Sequence, residues 1–173
     1  VLFTVGEDVG HIGSRAFDVS PVRSRMAYVP DVDGPVGRVV LAASSSENVQ
    51  VNFHGRAAHA GMDPENGRSA ISMAAQAVHS MTLGRIDEET RANIGKMRGG
   101  EAPNIVPPEA EMVMQVRSLD PQKCRQKMDG LIECCQRVAA DWEGTVDCVS
   151  ISQMQGYRFS ASDPVILRAD SAI

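Results

Sequence analysis

Two neighbouring carboxylates, Glu7 and Asp8, follow the apolar run Val1–Val5, with Gly6 directly before them and Gly10 two residues after. An apolar run ending in glycine and acids predicts a buried strand that delivers charge at its carboxyl end. There one carboxylate can bind a metal ion while its neighbour moves protons. The commoner fate of a Glu-Asp pair is a solvated turn, so the pair needs companions. Asp31 and Asp33, in "YVPDVDGPVG", form a second acidic cluster after another apolar stretch. Carboxylates alone still make an incomplete zinc centre, which normally takes at least one histidine. The histidines are His11, His54, His59 and His79, with no H-E-x-x-H or H-x-H among them. His79 lies beside the apolar stripe of a predicted helix, and His54 on the polar face of a predicted strand. His59 differs, because in "GRAAHAG" its small neighbours leave a side chain room to reach outward.

Such side chains need a frame, and the middle of the chain supplies one. "NVQVNFHGR" alternates, with Val49, Val51 and Phe53 on one face and Gln50, Asn52 and His54 on the other, which predicts a half-buried strand. "DPENGRSAISMAAQAVHSMTLG" predicts a helix with Asp63 as N-cap and Pro64 at its first position. Its apolar stripe is Ala70, Ile71, Ala74, Ala77, Val78 and Met81, and Gly84 is placed to end it. Two strands, "RANIGKMRG" and "AEMVMQVRS", flank the turn-rich "GGEAPNIVPPE". A second helix starts at "DPQKC", with a stripe running from Cys124 through Met128, Leu131, Ile132 and Cys135 to Trp142, and "TVDCVSIS" forms a last strand. Strand–helix–strand–strand–helix–strand over residues 47–152 is the split βαβ order. The predicted class is α+β, a ferredoxin-like βαββαβ domain whose four-stranded antiparallel sheet carries both helices on one face. Residues 1–46 and 153–173 are expected to be fringes of a larger host domain into which this module is inserted, with "SSSE" at Ser44–Glu47 as a hinge and a further helix starting at Asp163-Pro164.

Composition narrows the functions. A formal charge of −5 without a Lys/Arg run argues against a nucleic-acid partner, and 4% aromatic residues argue against RNA binding by stacking on the sheet. The longest apolar stretches, such as Val39–Ala43, are far short of the roughly 20 residues of a membrane span. Cys124, Cys134, Cys135 and Cys148 fit no zinc spacing and are expected as reduced thiols of a cytoplasmic protein. Val1–Val5 has neither a basic lead nor a cleavage site, and a start without Met leads to the expectation that a segment precedes it.

Five motifs, "TVGEDVG", "DVDGPVG", "HGRAAHAG…PENGRSAI", "GGEAPNIVP" and "VRSLDP", stand in an order and spacing that resemble peptidase T-like (tripeptide aminopeptidase-like) enzymes. These belong to the co-catalytic zinc exopeptidases and deacylases, with carboxypeptidase G, aminoacylase and succinyl-diaminopimelate desuccinylase. The resemblance covers nearly the whole chain and implies a lid and dimerisation domain at 47–152, between pieces of an α/β zinc-peptidase catalytic domain. It implies two zinc ions in the longer protein, a short peptide as substrate and a homodimer formed through the lid. By position it makes Glu7 the general base and Asp8 a zinc ligand, standing where the family usually has Glu. Asp31, or Asp33 in a shifted register, would be the ligand of the other zinc. His59 resembles the lid histidine that crosses the dimer to stabilise the tetrahedral intermediate in the partner's site. Asn104 and Arg117 resemble substrate-binding residues, the arginine suited to a bidentate grip on a carboxylate. The family's other zinc ligands are not matched in this chain, so the chain by itself is expected to be inactive. A deacylase or carboxypeptidase of the same family is the alternative activity, and a non-catalytic dimerisation module the alternative of another class.

Overall fold

Alternation builds the central strand. In β1 (Ser45–His54), Val49, Val51 and Phe53 are buried at 4%, 0% and 0% exposure, while Gln50, Asn52 and His54 face the other way. The computed structural model describes residues 1–7 and 11–173, and the chain divides into two units, Val1–Arg38 and Val39–Ile173. The second unit continues from β1 with α1 (Ala70–Ser80), β2 (Thr90–Gly99), β3 (Glu109–Ser118), α2 (Pro121–Asp141) and β4 (Thr145–Met154). The sheet order is β2-β3-β1-β4, antiparallel throughout, and the two-residue strand Gly84–Arg85 adds a fifth member outside β2. This is the predicted ferredoxin-like arrangement. The inward residues of β1, β2 and β3 form one core with Ala70, Met73, Ala74 and Ala77 of α1 and Met128, Leu131, Cys135 and Val138 of α2.

That core is rich in methionine. Met73, Met112, Met114 and Met128 are fully buried, and Phe53 is the single aromatic among the fully buried large side chains. Flexible thioethers fill the irregular space above an alanine-rich helix that aromatic rings would fill elsewhere. Cys124, Cys134 and Cys135 are also buried, and burial pushes the Cys135 thiol up to about 12.

Each helix start shows what local signals decide. At α2 the Asp120 carboxylate accepts from Gln122 N at 2.8 Å and Lys123 N at 3.3 Å, and Pro121 occupies the first helical position, as expected. Asp120→Ala is therefore expected to lower stability by about 1 kcal/mol in urea denaturation, and Asp120→Asn to cost almost nothing. At α1 the expectation fails. Asp63-Pro64 opens only a 3₁₀ turn, Pro64–Asn66, and the helix begins at Ala70 with Ser69 as N-cap, its hydroxyl accepting from Ser72 N at 3.2 Å. Helix cannot run through from Pro64, because Arg68 pairs by backbone with Arg56 (Arg56 N to Arg68 O 2.9 Å, Arg68 N to Arg56 O 2.8 Å). The buried face of α1 is also shifted. Met73 is fully buried, whereas Ile71 is 37% exposed and lies over Gly99 at the end of β2.

Two further expectations are corrected. Ser45 and Ser46 do not form a hinge; both are buried within β1, and the Ser45 hydroxyl accepts from Gly156 N at 3.0 Å. The link to the flanking segments is instead a short ribbon, Ala42–Ala43 paired with Tyr157–Arg158, followed by the expected helix at Pro164–Asp170. Val1–Val5 is no buried strand either. Val1, Phe3 and Val5 are exposed, and the run folds back on the short helix Ile12–Ala16 through Gly13 N to Val5 O at 2.8 Å. A strand needs a neighbour for its N–H and C=O groups, and no described strand pairs with this run.

Candidate functional site

The ladder between β1 and β3 continues beyond the sheet and carries the loop residues with it. Gly55 N donates to Pro108 O at 2.7 Å, Ala58 pairs with Val106, His59 pairs with Ile105, and Ala60 N donates to Asn104 O at 3.0 Å. The structure thus places His59 and Asn104, both exposed, side by side on a two-stranded extension. The His59 backbone is held at both ends, its N–H donating to Asp63 Oδ1 at 3.0 Å and its carbonyl accepting from Met62 N and Asp63 N.

The ring geometry selects a tautomer. Gly61 N lies 3.1 Å from His59 Nδ1. A backbone N–H can only donate, so Nδ1 is the acceptor and the proton of the neutral ring sits on Nε2. Nε2–H has no partner among the described residues. His59 therefore presents a hydrogen-bond donor to the outside on a fixed backbone, a disposition suited to an oxyanion of a bound molecule. A groove of about 390 Å³ opens beside Asn104, lined by Ile71, Gly99, Gly100, Pro103, Ile105 and Pro107 among others.

Arg117 is elsewhere. It lies in β3 opposite Ser46, eight residues along the strand from the Glu109 end where the loop extension leaves the sheet. At about 3.3 Å per residue that is about 26 Å. Its Nε donates to Gln115 Oε1 at 3.0 Å, and the side chain is exposed. His54 is absorbed by the sheet, with Nδ1 at 2.7 Å from Glu109 and Nε2 at 3.0 Å from Asp147 across both neighbouring strands.

Glu7, Asp31 and Asp33 belong to the first unit and are exposed; the Asp33 carbonyl accepts from Arg38 at 2.7 Å. Asp8 lies outside the described residues. Among the described residues no group of three or more histidine, cysteine, aspartate or glutamate side chains is arranged to hold a metal ion. The acids present do not make a zinc centre by themselves. Two residues escaped sequence reasoning. Asp63, expected as a helix cap, holds the His59 backbone instead, and Arg68 reaches across to Glu143. An Asp-Pro pair four residues after the loop histidine was the only local sign of the first.

The fold and this loop define a peptidase dimerisation domain. Residues 42–143 match that family of the M20 peptidases, and the chain belongs to it. Within the family it is peptidase T-like. Aminopeptidase PepT from Bacillus cereus superposes with a TM-score of 0.87 at 37% identity, covering 95% of this chain and 44% of that one. A tripeptidase from Staphylococcus aureus superposes with a TM-score of 0.90 at 31% identity, covering 98% of this chain and 45% of that one. Among curated proteins, the uncharacterised YqjE of Bacillus subtilis is 38% identical over 171 residues, 99% of this chain and 46% of its own length. The chain thus spans less than half the length of these relatives. The M20 family is generally metal-dependent. No helix among the described residues is long and apolar enough to cross a membrane.

Proposed function

We propose that this chain is the lid and dimerisation part, residues 47–152, with flanking catalytic-domain segments 1–46 and 153–173, of a cytoplasmic zinc-dependent aminopeptidase that removes the N-terminal residue of short peptides, tripeptides above all. Glu7 is the general base, and Asp8 and Asp31 are ligands of the two zinc ions, whose remaining ligands belong to other parts of the longer protein. Alone, the chain is inactive. Its own contribution to the chemistry comes from the lid. His59 donates its Nε2–H to the oxyanion of the tetrahedral intermediate, Asn104 beside it contacts the substrate, and Arg117 grips a substrate carboxylate.

The observation that carries this reading is the spacing of His59 and Arg117. Arg117 stands eight residues, about 26 Å, along β3 from the Glu109 end where the extension carrying His59 leaves the sheet, whereas an extended tripeptide spans about 10 Å. That separation favours the two serving one short substrate from different copies. A homodimer formed through the lid, each copy lending His59 to its partner, meets that condition.

The test is hydrolysis by the longer protein, loaded with zinc, of a free tripeptide, its N-acetylated form and an N-acyl amino acid. The expected result is release of the first residue from the free tripeptide alone. Release of the acyl group would make it a deacylase, release of the C-terminal residue a carboxypeptidase, and turnover of none a non-catalytic dimerisation module.

A further inference from the structure

The residue that ends the long helix is in an unusual conformation. Glu143, just past α2, has φ of 55°, and only it and His11 are non-glycine residues with positive φ among those described. The position after a helix favours glycine because a Cβ there is strained. Glycine is indeed next in sequence, yet Gly144 is not in the left-handed region. Gly144 meets a different need, since a Cβ on it would lie 2.8 Å from the His54 carbonyl. Glutamate is thus tolerated where glycine would sit more easily, and its side chain shows what it does there.

The Glu143 carboxylate accepts from Arg68 Nε at 2.9 Å and also from Arg68 Nη2. The same guanidinium donates through Nη1 to Glu65 O at 3.0 Å and Gly67 O at 2.8 Å. One side chain therefore joins the end of α2 to the 3₁₀ turn Pro64–Asn66. That turn is continuous with Asp63, whose carboxylate fixes the His59 backbone. Arg56 braces it from the other side by donating to Asn66 O. Bonding to Arg68 holds the Glu143 carboxyl below its ordinary range, as a working ion pair should.

We infer that Arg68 and Glu143 form a clamp that holds the 56–67 loop in register, making Arg68 a positioning residue for His59. The consequence for the reaction rests on the proposed catalytic role of His59; the ordering of the loop does not.

Two variants separate the clamp from general stability. Glu143→Gly removes the carboxylate and the backbone strain together, and Arg68→Lys keeps the charge but loses the planar fork. In this chain, Glu143→Gly is expected to leave the urea midpoint unchanged or raised. Hydrogen exchange at the amides of His59, Ala60, Met62 and Asp63 should quicken by about fivefold or more, the change that one lost hydrogen bond gives. Arg68→Lys should speed exchange at the same amides. Unchanged exchange there in both variants would overturn the clamp. So would faster exchange spread evenly over β1–β4, which would mean simple destabilisation. In the longer, zinc-loaded protein, Glu143→Gly should lower kcat while KM holds. Loosened exchange with full kcat would leave the clamp standing and count against the role of His59.

Discussion

Phe53→Ala is expected to destabilise the chain by about 3–5 kcal/mol, a large part of the stability of a domain this size. The side chain is fully buried in β1, the strand flanked by β3 and β4. Its neighbours in register are Ala110 and Val146, and the facing helix offers Ala70, Ala74 and Ala77. Small rigid side chains of this kind cannot swing into a cavity the size of a phenyl ring. Met73 and Met112 can move, and they set the lower end of the range. Urea denaturation checks the value. Phe53→Leu, which keeps most of the volume, should cost well under half as much, and a loss below about 1 kcal/mol for alanine would mean that the methionines refill the core.

His59→Ala should behave in the opposite way. In this chain the residue is exposed, and apart from the bond its ring accepts from Gly61 N its bonds run through the backbone, so stability in urea denaturation should fall by no more than about 0.5 kcal/mol. In the longer protein the same change should lower kcat by about 10²–10³, the usual effect of removing one oxyanion donor, with KM nearly unchanged. The separation follows from the ring geometry. Nδ1 is occupied by Gly61 N, and the donating Nε2–H has no partner among the described residues. A comparable rise in KM would instead mean that His59 binds the ground state.

Much of this frame is legible in residue order. The alternation in β1, the Asp-Pro start of α2 and the order of elements were enough to place six elements in one topology, because each depends on neighbours in sequence. What was not legible depends on partners far away. Asp63-Pro64 carries the same local signal as Asp120-Pro121, yet the backbone pairing of Arg56 with Arg68 overrides it and delays α1 to Ala70. Ile71 fits the helical stripe by spacing, but the glycine at position 99 gives it a place at the sheet edge rather than in the core. The apolar Val1–Val5 reads as a strand because hydrophobic pattern does not say whether pairing strands exist. At the site, the small neighbours of His59 marked an outward-reaching side chain. The 75-residue separation of Arg68 from Glu143 hid the clamp behind it. The resemblance gave His59 and Arg117 their roles without any spacing between them, and the strand register adds that Arg117 stands eight residues along β3 from the end where the extension carrying His59 leaves the sheet.

The sharpest measurement mixes two inactive forms of the longer, zinc-loaded protein, His59→Ala and Glu7→Ala, and follows tripeptide hydrolysis as subunits exchange. If each copy lends its histidine to the partner, the mixed dimer holds one site with both defects and one with neither. Random exchange makes half the dimers mixed, so activity should climb to about a quarter of the unmutated level from two nearly silent parents. Exchange verified by native mass spectrometry with no recovery of activity would mean that His59 does not act across the dimer.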